Sequence, residues 1–87
     1  SALKEFVAAL TLTFMRDRVR RAQHAQTQEE RERLEGEAIQ AFLDTIKLFE
    51  LEREEVSDIY LDTFPPEFLR RLSMALETHS PGKEPLG

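Results

Sequence analysis

His24 and His79 are the two imidazoles of this 87-residue chain, and neither has a carboxylate or a second histidine three or four residues away, the helical spacing that builds a metal site. Both are expected to be surface side chains near helix ends. Paired carboxylates occur at Glu29-Glu30 and Glu54-Glu55, but general acid/base catalysis needs a carboxyl whose proton affinity is shifted by burial, and both pairs fall on faces expected to be wet. Ser57 and Ser73 have no basic neighbour in sequence that would activate a hydroxyl. There is no Cys, and no glycine-rich phosphate loop, GxSxG, HExxH or calcium-loop spacing. No enzyme activity, no metal and no cofactor is therefore expected.

The concentrated charge is Arg16-Asp17-Arg18-Val19-Arg20-Arg21. Four arginines in six residues could grip nucleic-acid phosphates or the acidic side chains of a protein partner. They also suit the negative end of a helix and an acidic helix lying alongside, which is the plainer expectation. The net charge of −5 and the lack of an aromatic residue inside the run argue against nucleic acid. Charge is segregated along the chain. Residues 1–26 carry five basic against two acidic residues, a net of +3; residues 27–62 carry four against twelve, a net of −8; residues 63–87 balance. A basic first helix beside an acidic second one favours antiparallel neighbours, or two copies docking head to tail.

The elements that position these residues read as helices joined by short turns, because Gly and Pro are scarce before Pro65 and β-type alternation is missing. A first helix is predicted from about Ala2 to Ala25. Leu3, Phe6, Val7, Leu10 and Phe14 share an arc of about 100° and form its expected core stripe. Ala8, Leu12, Met15, Val19 and Ala22 form a second apolar set on roughly the opposite face.

Thr27-Gln28-Glu29-Glu30 matches a capping box and starts a second helix running to about Phe49. Leu34, Ala38, Ala41, Phe42, Thr45, Leu48 and Phe49, adjoined by Ile39, Leu43 and Ile46, make it apolar over more than half its circumference, as for a central helix. Gly36 inside it costs about 1 kcal/mol relative to Ala unless a neighbour approaches closely there. A third helix over about 53–61 is predicted, with Leu51 and Val56 spaced as a hydrophobic staple, although a single helix from 28 to 62 would also fit the apolar phase. Phe64-Pro65-Pro66 ends that segment and starts a fourth helix with Phe68, Leu69, Leu72 and Leu76 inward and Phe64 stapled onto Leu69.

The fold class expected is therefore all-α, a small bundle of three to four helices over residues 1–78 with a flexible C-terminal tail or linker over 79–87. The chain opens on Ser1-Ala2 without Met, as a processed or excised piece would, and has no run of 18 apolar residues, so a cytoplasmic, non-membrane location is expected. A chain this short buries only about 60% of the surface its unfolded form exposes, and without Cys it has no disulfide to supplement its core.

A partner chain is one remaining supplement, and the two-faced first helix points to it. Either the fourth helix folds back over Ala8, Leu12, Met15, Val19 and Ala22, or that face meets a second copy or another helical chain, with Arg16, Arg18, Arg20 and Arg21 fixing register by charge. The second is the expectation: a protein-interaction or oligomerisation module, by default a twofold homodimer. A small nucleic-acid-binding regulator using the same arginines is the alternative. A membrane-surface helix fits less well, since Glu5 and Asp17 interrupt it.

Overall fold

The computed structural model describes residues 2–51 and 63–78, and among these the chain is all-helical. Three helices follow in order: α1 (Ala2–Gln23), α2 (Gln28–Phe49) and α3 (Pro66–Thr78). The predicted third helix and the tail from His79 lie outside the described residues.

Local chemistry sets each boundary. Backbone bonds from His24 N to Arg21 O and from Ala25 N to Ala22 O, both 3.1 Å, close the last turn of α1. Thr27, in extended conformation (φ −130°, ψ 154°), caps α2 by accepting the Glu30 N–H on Oγ1 at 3.1 Å. At its other end Glu50 adopts the left-handed conformation (φ 50°, ψ 49°), its N–H donating to Ile46 O, and Leu51 N–H donates to the same carbonyl at 3.0 Å. That reversal stops the helix at Phe49, so a continuous helix from 28 to 62 is not formed. Pro66 takes the first position of α3, where its missing N–H costs nothing, and the Leu69 N–H bonds to Pro65 O at 3.0 Å.

α1 and α2 pack as an antiparallel pair. Thr11 and Thr45 hydroxyls meet at 2.9 Å, and Arg18 Nε reaches Glu37 Oε1 at 2.9 Å. The core joins Leu12, Met15 and Val19 of α1 to Ala38, Ile39 and Phe42 of α2 and to Phe64, Phe68 and Leu72. Phe64 packs its ring on Phe68, with centroids 5.2 Å apart and planes at 46°, and Leu69 packs against the same cluster. Phe42, Phe68, Met15 and Leu72 are the largest fully buried side chains, each contributing about 1.5–3 kcal/mol through burial. An ion pair from Arg71 to Glu35 links α3 to α2.

The two faces of α1 exchange the roles expected of them. Leu12, Met15, Val19 and Ala22 are buried in the chain's own core, with Ala8 packed against it, while Leu3, Phe6, Leu10 and Phe14 are exposed and Val7 is half-buried. The reason lies in the short connection at 24–27. Because α2 turns straight back along α1, the packed face of α1 must be apolar next to that turn. Only the Leu12, Met15, Val19, Ala22 series continues that far; the other stripe becomes polar after Phe14, passing through Asp17 and Arg21. Small residues (Ala8, Ala22, Ala38) on the packed faces also allow close approach of the two helices.

On α2, Leu34, Ala38, Ile39 and Phe42 are buried as expected, whereas Leu48 is exposed. Gly36 has no atom within 4 Å of where a Cβ would sit, so close packing does not require it.

Candidate interaction face

The surface feature that stands out is the outer stripe of α1. Leu3 is 63% exposed, Phe6 61%, Leu10 56% and Phe14 37%. The positions fall on one side of the helix because residues three and four apart lie above one another. On α2, Leu48 is 75% exposed, and the register set by the Thr11–Thr45 and Arg18–Glu37 contacts places it level with Val7 and Ala8. Two phenylalanines and three leucines showing this much area amount to several hundred Å2 of apolar surface, on the order of the largest patch an ordinary monomer tolerates.

The stripe is terminated by charge. The Arg18 guanidinium lies 4.3 Å from the Phe14 ring centroid, a cation–π contact that covers one end of the apolar surface. Arg18 is held there by Glu37 at 2.9 Å and Asp17 at 2.8 Å. Asp17 also receives Arg20 at 3.2 Å and Arg21 at 3.6 Å. Three of the four arginines of the run thus converge on one aspartate, and Arg18 is the residue that joins the basic end of α1 to the acidic flank of α2. Arg16, the fourth, is exposed beside an open cleft of about 370 Å3 that also involves Arg20, Gln23 and the 63–65 segment. The sequence suggested that these cations would complement a helix end and an acidic neighbour, and the geometry of Arg18 follows that suggestion.

The other chemistry-bearing residues are dispersed. His24 sits exposed in the turn after α1, Glu29 and Glu30 are exposed in the first turn of α2, and Ser73 is exposed on α3. His79, Glu54, Glu55 and Ser57 lie outside the described residues. Among the described residues no group of three or more His, Asp or Glu is placed to hold a metal ion, and no helix is long and apolar enough to cross a membrane. The buried Thr11 hydroxyl is satisfied by Thr45, and no buried side-chain polar atom among the described residues lacks a partner.

Sequence reasoning assigned the two apolar stripes of α1 the other way round. Ala8, Leu12, Met15, Val19 and Ala22, expected at an interface, are brought together inside the fold; Leu3, Phe6, Leu10 and Phe14, expected inside, are brought together outside. The stop in the stripe at Asp17 was the available signal. No protein-family model matches this sequence, and no curated protein or solved structure shows a significant match to it.

Proposed function

We propose that this chain is a non-enzymatic helical module that binds another protein chain through the outer face of α1, with Leu3, Phe6, Leu10 and Phe14 as the contact residues and Leu48 beside them. The observation that carries this reading is that a folded chain with a satisfied core still leaves these large apolar side chains in water. Exposed apolar surface costs about 25 cal/mol per Å2 relative to its burial, so a protein that keeps several such residues on one stripe gains when another surface covers them. The arginines act at the rim: Arg18 shields Phe14, and the exposed Arg20 and Arg21 offer charge that steers an approaching partner and fixes its register.

The test is site-specific photocrosslinking in cells that make the protein. A benzophenone side chain replacing Leu10 is expected to attach to a protein chain at a defined site, and the same group replacing Gln40, exposed on α2 away from the stripe, is not. Equal, diffuse labelling from both positions, or none from position 10 in a folded chain, overturns the reading.

A further inference from the structure

The apolar stripe of α1 has an arrangement that narrows what can cover it. Leu3, Val7, Leu10 and Phe14 are spaced four, three and four residues apart, the spacing by which one helix presents a continuous seam to another. The same stripe continues to Asp17 and Arg21, which pair with each other at 3.6 Å. We propose that the occupant of this face is the same face of a second copy of the chain, with the two α1 helices antiparallel and the twofold axis passing between Val7 and Leu10. This rests on the reading of the stripe as a protein-binding face.

Two observations support that pairing. The stripe is nearly its own reverse: turned end for end about that axis, Leu3 meets Phe14 of the other copy and Val7 meets Leu10. Every apolar position then faces an apolar position over about 17 Å of helix. This is the self-complementarity that a closed twofold interface requires.

Charge decides the direction. A parallel pairing would set Asp17 against Asp17 and Arg21 against Arg21 on the seam, whereas the antiparallel one leaves these residues beyond the apolar overlap. The mutual approach of two exposed Phe6 and two exposed Leu48 side chains widens the covered area beyond the seam itself.

The absence of Cys allows a direct test. Leu3→Cys/Phe14→Cys, both at exposed positions, is treated with a bismaleimide too short to span the about 17 Å between these positions within one helix. The products are then digested with trypsin, which cuts after Lys4 and Arg16. Covalent dimers linking the 1–4 peptide to the 5–16 peptide are the expected result. Light scattering of the unmodified chain is expected to show a dimer that dissociates on dilution, with Leu10→Glu weakening it at least about a hundredfold, since two copies of the residue are lost per dimer.

Dimers that link 1–4 to 1–4 and 5–16 to 5–16 overturn the antiparallel pairing and leave the binding face standing. A chain that stays monomeric at millimolar concentration without forming covalent dimers overturns self-pairing. In that case the photocrosslink from position 10 separates the two claims: attachment to a foreign chain sustains the binding face, and no attachment overturns it as well.

Discussion

Shortening one side chain on each face of α1 separates the core from the surface quantitatively. Met15 is fully buried among α2 and α3 residues, so Met15→Ala removes three heavy atoms from a packed site and leaves a cavity. Such changes cost about 2–5 kcal/mol. A chain of 87 residues has a total stability of about 4–13 kcal/mol, so this single change removes a large share of it. Leu10→Ala removes the same number of atoms from a residue already 56% exposed, so less than half as much area returns to water and no cavity forms. Its cost is below about 1 kcal/mol.

The assay is urea unfolding followed by circular dichroism at 222 nm. A fall in the midpoint at unchanged slope is expected for Met15→Ala, with a melting temperature at least about 10 °C lower, and almost no change for Leu10→Ala. Measurement at two protein concentrations removes any contribution from association, which fades on dilution. Equal costs for the two variants, or a larger cost at Leu10, would refute the assignment of faces.

Three local features give smaller, independent outcomes in the same assay. Thr27→Ala deletes the acceptor for the Glu30 N–H and is expected to lower stability by about 1 kcal/mol, with Thr27→Ser restoring it. Gly36→Ala fills open space on α2 and is expected to raise stability by about 0.5–1 kcal/mol; a loss would mean that a neighbour packs against that position. Glu50→Gly relieves a left-handed conformation that costs a side-chain-bearing residue about 1 kcal/mol, and is likewise expected to stabilise.

Most of the helical framework was legible because its boundaries are encoded by short, local devices. Thr27 and Glu30 mark the start of α2, and Pro66 marks the start of α3. The end of α2 at Phe49 was harder, since Glu50 gives no sign in its residue type that it will turn left-handed.

The faces of α1 were not legible from hydrophobic periodicity, because both stripes have it, and the one with the larger residues (Leu3, Phe6, Leu10, Phe14) looks more like a core. Tertiary geometry decides between them: a short turn obliges α1 to be apolar beside it, which selects Val19 and Ala22 and rejects Asp17 and Arg21. Leu48 fell to the same ambiguity, since an arc that covers more than half a helix cannot all be buried by two neighbours. The arginine run was legible as a set of charges but not as a geometry; that Arg18 would lie over Phe14 while bridging Asp17 and Glu37 follows only from the register of α1 on α2.

The claim on which the rest depends is that α1 buries its Leu12, Met15, Val19, Ala22 face and presents the other to solvent or to a partner. Thiol labelling measures this directly in a chain with no cysteine of its own. In dilute solution, where any association is lost, Leu10→Cys is expected to react with a thiol reagent within a few-fold of its rate in unfolding urea. Met15→Cys is expected to be protected at least about a hundredfold, because reagent reaches it only when the fold opens. Protection at position 10 together with rapid reaction at position 15 would contradict the account.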